Sequence, residues 1–356
     1  MIAMRACVPR AAIAWRIAQP PGSTDPRLGS GSKKTLEASR RLTNSIACRC
    51  QNRVREKVVI VTGSSSGIGH STALDLARKG ATVYLAFRKH KIGEAVAENL
   101  RSSTGNRSVY FLHLDLTDFS SIRSFVHEFS KREQRLDALV NNAAVFHHPP
   151  ALTGDQIEVT YQTNYLGVFL LTQLLLKDIQ RSPASRIVFV SSAAHKLVSE
   201  QDLLHYDPRE LSKPTTFADH VRSYGLSKLA IHLFAQYIVE TAPGVLVVLV
   251  DPGNVWTPIY RHSWQSWSEI LTRLKCFLFM KSAQEGAQST IHALNAPDIK
   301  SGQYISSCLE VEGTQSYDTT AVQRLIAHSA QLTAFPRHSD TTNDPSQTRN
   351  KTDNFL

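Results

Sequence analysis

Tyr224 and Lys228 stand four positions apart in Tyr224-Gly225-Leu226-Ser227-Lys228. On a helix that spacing puts both side chains on one face. A phenol with its ordinary pKa of about 10 exchanges protons poorly near neutrality. An adjacent ammonium favours the phenolate and lowers that value. A shift of roughly 2–3 units corresponds to about 3–4 kcal/mol of differential interaction. Ser191-Ser192 closes a short apolar run, Arg186 to Val190. A hydroxyl there can hold a carbonyl oxygen while the tyrosine gives or takes the proton. Tyr-x-x-x-Lys alone is common, and an exposed helix pair of this kind is worth only a few tenths of a kcal/mol. The elements around it decide its meaning.

A second motif lies upstream. Thr62-Gly63-Ser64-Ser65-Ser66-Gly67-Ile68-Gly69 follows the apolar, β-branched run Val58 to Val61 and precedes a helical pattern from Ile68 to Lys79. Glycines at a strand–helix junction let the backbone approach a pyrophosphate, and the helix N-terminus offers N–H groups and its positive dipole end. The spacing is G-x-x-x-G-x-G, and there is no Walker loop, which needs Gly-Lys-Ser/Thr. The second strand runs into Phe87-Arg88-Lys89-His90-Lys91 with no acid. A site for NAD commonly has Asp or Glu there for the ribose 2′-hydroxyl. Arg88 instead suits a 2′-phosphate, which predicts NADP(H) over NAD(H).

The elements that must carry these motifs alternate. Strands are predicted at 58–61, 82–87, 109–112, 136–140, 186–190, 245–250 and 303–305. Helical patterns run over 68–79, 94–101, 119–131, 156–177, 221–240 and 284–293. Such alternation gives right-handed crossovers and an α/β fold: a doubly wound, Rossmann-type parallel sheet of about seven strands with helices on both faces, in one domain.

The chain has 356 residues, 42% hydrophobic and 20% charged, values that exclude wholesale disorder. Its net charge of +10 is local. Residues 1–55 hold eleven Lys/Arg against Asp25 and Glu37, so the remainder is nearly neutral and offers no basic face for nucleic acid. That region is read as disordered or as a targeting segment, with the intracellular protein then cytoplasmic or, if a transit peptide is present, mitochondrial. Residues 56–334 form the predicted domain, and 335–356 a polar disordered tail. Five scattered cysteines fit a reducing compartment. No stretch of about 18 apolar residues is present, so no transmembrane helix is predicted.

The ordered motifs are similar to those of the short-chain dehydrogenase/reductase family. The resemblance covers about Lys57 to Thr333 and is nearest to the branch holding retinol dehydrogenases and the oxidoreductase domain of the WW-domain oxidoreductase. The glycine loop is followed by Leu114-Asp115-Leu116, Asn141-Asn142-Ala143-Ala144, Thr163-Asn164-Tyr165-Leu166-Gly167, Val190-Ser191-Ser192, Tyr224 to Lys228, and Asp251-Pro252-Gly253-Asn254-Val255. The resemblance implies that Tyr224 is the acid–base residue and that Lys228 holds the nicotinamide ribose. Ser192 would orient the substrate oxygen and Asn164 a relay water. The implied cofactor contacts are Gly63, Ser65, Ser66, Gly67, Ile68, Gly69, Arg88, Asp115, Leu116, Asn142, Ala143, Tyr224, Lys228, Pro252, Gly253, Val255 and Thr257. No metal is needed, because tyrosine and serine supply the polarisation.

The chain departs from the family pattern at several points. Asn-Asn-Ala-Gly is Asn-Asn-Ala-Ala, and His70 replaces a basic residue often found after the last glycine. Asp251 stands in place of the usual His, a carboxylate that would disfavour an anionic partner if it faced one. The resembled retinol enzymes often carry an N-terminal membrane anchor, and WW modules need two tryptophans about 20 residues apart; the N-terminal region has only Trp15 and no apolar span.

On the substrate side, 31 residues separate Ser192 from Tyr224, among them His195, Leu203, Leu204, His205, Tyr206 and Phe217. Trp264, Trp267, Ile270, Leu271, Leu274 and Phe277 follow the sixth strand at near-helical spacing. This segment reads as an apolar lid for a lipophilic aldehyde, ketone or retinoid, as core packing or a homodimer face, or as a peripheral membrane contact. His147-His148 reads as loop. The leading expectation is hydride transfer between NADP(H) and a carbonyl or alcohol. The rival is a low-turnover NADP(H)-binding scaffold, which has no need of Tyr224, Lys228, Ser192 and Asn164 together.

Overall fold

Side chains alternate across the first strand, β1 (Val58–Thr62), and both faces are buried. Val58 and Ile60 join one hydrophobic cluster, while Val59 and Val61 join another on the opposite face. Two-sided burial is what a run of β-branched residues gives when helices cover both sides of a parallel sheet. The computed structural model describes residues 53–210, 216–259, 280–306, 310–312 and 316–336. The basic region up to residue 52, the aromatic segment from Trp264 to Phe277 and the tail beyond 336 lie outside the described residues.

After β1 come α1 (Gly67–Arg78), β2 (Thr82–Phe87), α2 (Gly93–Thr104), β3 (Val109–His113), α3 (Phe119–Arg132) and β4 (Ala138–Asn141). There follow α4 (Gly167–Gln180), β5 (Arg186–Val190), the short α5 (Glu200–Leu204), α6 (Phe217–Thr241) and β6 (Leu246–Asp251). The last elements are α7 (Ala283–Asn295), β7 (Gln303–Ser306), β8 (Glu310–Glu312) and α8 (Thr319–Leu332). The sheet order is β3-β2-β1-β4-β5-β6-β7-β8. Seven strands are parallel, as the sequence predicts. β8 adds an antiparallel edge that the sequence reading does not contain.

Strand order reverses at β1, between its neighbours β2 and β4, and ligands in open α/β sheets sit beyond the strand ends at such a switch point. The glycine loop, the Asn141-Asn142 turn, Ser191-Ser192 and Pro252-Gly253 all leave carboxyl ends of central strands. At the opposite, amino end, the Asp137 carboxylate is 3% exposed. It accepts hydrogen bonds from Lys57 Nζ at 3.0 Å, Val58 N at 2.9 Å and Ser182 Oγ at 2.6 Å.

Four helices differ from the sequence expectation, which contains neither α5 nor α8. The pattern over 156–177 is not one helix: a single turn at Val159–Tyr161 passes into a π turn at Gln162–Leu166, and only then does α4 begin. The apolar period continues through the bend, which is why periodicity misses it. α6 starts one turn earlier than predicted, because Thr216 and Asp219 form a capping box. α8, capped by Asp318, packs Tyr165 Oη 2.7 Å from Ser329 Oγ.

Candidate active site

The glycine loop owes its shape to two residues in the left-handed region, Gly63 (φ 67°) and Gly67 (φ 60°). It is also too crowded for side chains. A Cβ on Gly69 would lie 2.5 Å from Asn142 Nδ2 and 2.6 Å from the Gly63 carbonyl oxygen. One on Gly63 would lie 2.8 Å from Ala143 Cα. Thr62 Oγ1 accepts the N–H groups of Asn142 and Ala143, each at 2.9 Å, and Asn142 Nδ2 donates to the Thr62 carbonyl at 2.8 Å. These bonds staple the ends of β1 and β4 together. Ser66, the N-cap of α1, makes no side-chain capping bond, and the first turn carries no acid. Ser64 Oγ is buried without a hydrogen-bond partner. An uncapped helix N-terminus behind a loop of glycines and serines fits a pyrophosphate.

The other predicted cofactor residues border this loop or the neighbouring strand ends. Arg88 is exposed just past β2, next to β1 in the sheet. Asp115 Oδ1 is engaged by Thr117 N and Thr117 Oγ1, at 2.9 and 2.6 Å. Leu116 is buried, and its carbonyl oxygen would lie 2.5 Å from a Cβ on Gly167. Thr257 Cγ2 would be 3.2 Å from a Cβ on Gly67, and Val255 and Ile68 of α1 both crowd Gly286. The structure thus brings Thr257 to the loop that precedes α1, nearly two hundred residues away in sequence.

α6 carries Tyr224 and Lys228 past the end of β5. Lys228 is 3% exposed, and its Nζ donates to the Val190 carbonyl at 2.7 Å. The ammonium lies 5.4 Å from the Tyr224 ring centroid. Burial lowers the Lys228 pKa to about 8, while the charge of Asp251 acts in the opposite direction. Ser192, two residues beyond Val190, caps the 3-10 turn Ala193–Leu197, its Oγ accepting Ala194 N–H at 3.3 Å. Asn164 sits in the π turn, 1% exposed. Its Nδ2 donates to the Val145 carbonyl at 3.0 Å and to Ser227 Oγ at 3.1 Å, and its Oδ1 accepts Val145 N–H at 2.8 Å. Both amide hydrogens are thereby used, and one Oδ1 lone pair remains.

A family model described as short chain dehydrogenase matches residues 57–204. Human retinol dehydrogenase 11 is 38% identical over 306 residues, covering 83% of this chain and 92% of that protein. The chain belongs to the short-chain dehydrogenase family. Bovine dehydrogenase/reductase SDR family member 13 is 34% identical, covering 85% of this chain and 80% of its own length. A solved structure of an uncharacterized Mycobacterium paratuberculosis protein shares 29% identity with a TM-score of 0.57, over 80% of this chain and 96% of that one. A solved Shigella flexneri short chain dehydrogenase complexed with NADP has the same fold, at 22% identity and a TM-score of 0.55, over 72% of this chain and 99% of that one. The chain is therefore an oxidoreductase of a family that uses a nicotinamide cofactor and acts on alcohol and carbonyl groups.

Short-chain dehydrogenase motifs do not reveal the aromatic rim beside Tyr224. The Phe146 ring meets Tyr224 edge-on at 5.2 Å and Phe217 at 5.9 Å. His147, held at φ 54°, lies 4.0 Å from the His220 ring. Burial, followed by the neighbouring His147, lowers the His220 pKa. Phe217 is 61% exposed, so the rim opens to solvent. Nothing in the spacing of Phe146 or His220 signals this contact. Asp251, expected to disfavour an anion only if it faced one, turns its carboxylate onto backbone amides at the strand ends. Among the described residues no helix is long and apolar enough to cross a membrane.

Proposed function

We propose that this dehydrogenase transfers hydride between NADP(H) and a lipophilic aldehyde, ketone or alcohol, with retinoids among the candidates. The observation that carries the reading is Lys228. A buried ammonium 5.4 Å from the Tyr224 ring is what a proton-exchanging phenol requires. The retinol dehydrogenases among its relatives support the lipophilic class. The apolar rim, in which exposed Phe217 packs on buried Phe146, suits the same class. Arg88, with no acid beside it, supports NADP(H) over NAD(H).

In this reading the working unit spans residues 56–334. Gly63, Ser65, Ser66, Gly67, Ile68 and Gly69 would hold the pyrophosphate, with Asn142, Ala143, Pro252, Gly253, Val255 and Thr257 beside them. The bound NADP(H) supplies or accepts the hydride. Tyr224 donates its phenolic proton to the substrate oxygen in reduction and takes it back in oxidation. Lys228 stabilises the phenolate that results. Ser192 Oγ orients the substrate oxygen, and the free lone pair of Asn164 Oδ1 is open to a relay water.

The test follows NADPH and NADH absorbance with retinal, steroid ketones and aliphatic aldehydes in parallel. NADPH is expected to be the better reductant. Tyr224→Phe should lower kcat at least about a hundredfold while NADPH still binds. Full turnover by Tyr224→Phe on a working substrate would refute the assignment.

A further inference from the structure

Asp251 is 7% exposed and forms no ion pair among the described residues. Its Oδ1 accepts Gly253 N–H at 2.7 Å. Its Oδ2 accepts Ala193 N–H at 2.9 Å and the Tyr304 hydroxyl at 3.0 Å. All three partners are donors, the set an ionised carboxylate takes. The first bond fixes the turn after β6, the second fixes the residue after Ser192, and the third reaches β7. One side chain thus ties the ends of β5 and β6 to β7, and Lys228 Nζ is held nearby by Val190, the β5 partner of Val250. A buried ammonium held by a neutral carbonyl needs a counter-charge.

We propose that Asp251 is a positioning residue of the catalytic centre, strapping the Ser192 turn to the Pro252-Gly253 turn and supplying the counter-charge that keeps Lys228 an ammonium. The proposal rests on the roles given above to Tyr224 and Lys228. Removing the carboxylate makes both the Lys228 ammonium and the Tyr224 phenol easier to deprotonate. In the reductive direction both must be protonated, so the alkaline limb of turnover moves to lower pH. The other ionisable groups around Asp251 stay in place. His195 and His232 pack their rings 5.3 Å from the Tyr304 ring. Lys196 Nζ lies 5.7 Å over that ring, and Lys281 Nζ lies 3.4 Å from the Pro252 carbonyl.

The experiment uses the full chain with Asp251→Asn and Asp251→His, the second restoring the residue common in the family. Lysines are labelled with 13C at Cε, and the Lys228 signal is identified by its loss in Lys228→Met. Its titration midpoint is followed by NMR, and kcat with NADPH and a turned-over carbonyl is followed against pH. Both variants should move the Lys228 midpoint and the alkaline limb down by at least about half a pH unit. At pH 8 kcat should fall threefold or more, with the carbonyl KM little changed. If Asp251→Asn does not fold, Asp251→His carries the same test, its imidazole being largely neutral at that pH. A Lys228 midpoint that matches the parent overturns the proposal. A parent with no NADPH-dependent turnover refutes the function proposed above, and the lysine titration still decides the role of Asp251.

Discussion

Replacing Lys228 by methionine should make the cofactor-free protein more stable near neutrality while abolishing its chemistry. Burial brings Lys228 from its ordinary 10.5 to about 8. Each unit is worth 1.36 kcal/mol, so at pH 7 the buried charge costs the folded state about 3 kcal/mol. Methionine has similar length and no charge. It leaves the Val190 carbonyl without its donor, a loss of about 1 kcal/mol. The net gain expected at pH 7 is therefore about 2 kcal/mol. The sign of the pH dependence follows from a base whose folded pKa is depressed. Between pH 8 and 10.5 the unfolded chain binds more protons than the folded one, so the parent gains stability as pH rises through that window. At pH 10 the penalty falls below about 1 kcal/mol, and the variant's advantage vanishes. Urea unfolding of both proteins at pH 7 and pH 10 reads the difference directly. An advantage that is equal at the two pH values, or a variant weaker than the parent at pH 7, would refute the reasoning.

Two further outcomes are expected. Gly69→Ala puts a Cβ 2.5 Å from Asn142 Nδ2 and 2.6 Å from the Gly63 carbonyl, so the loop must open at a cost of about 1–3 kcal/mol. The NADPH dissociation constant, read by fluorescence titration, should rise at least about tenfold, and an unchanged value would show that the loop does not hold the cofactor. Asp137→Ala should destabilise the protein by about 3 kcal/mol in urea unfolding, because it strands the partly buried Lys57 and removes the bonds from Lys57, Val58 N–H, Ser182 and the longer one from Arg135. Burial pushes the Asp137 carboxyl up, but the bonds from Ser182, Val58 N–H and Lys57 outweigh it and hold the pKa low. Its stabilisation is therefore complete above the usual carboxyl range and lost as pH falls through the lowered value, so the difference between parent and variant should shrink in acid.

The parallel core was legible because β1, β5 and β6 are short β-branched runs whose alternate residues serve opposite faces, and each is followed by a helical period. The glycine loop was legible because its position between β1 and α1 gives the spacing a physical meaning. What escaped the sequence depends on tertiary contacts. The π turn at Gln162–Leu166 keeps the apolar period intact, and only the bonds of Asn164 to Val145 and Ser227 show why the backbone widens there. β8 holds two glutamates in three residues and has no strand signature of its own. α8 does carry a local signal: Asp318 as N-cap, then Ala321, Val322, Leu325 and Ser329 on one face. For Asp251, residue type suggested repulsion of an anion, whereas its direction is set by the amides of Ala193 and Gly253.

The C-terminal helix has a consequence for how the protein is made. Ser329 closes on Tyr165, the residue after Asn164, across 164 positions of chain, and Arg123 holds the Thr333 carbonyl at 2.7 Å. Phe335 then seats its ring 6.4 Å from Phe169 on α4. Such distant pairings form late. The bend that carries Asn164 is thus completed only once α8 has been made and has docked, and until then the apolar surface that α8 covers stays open.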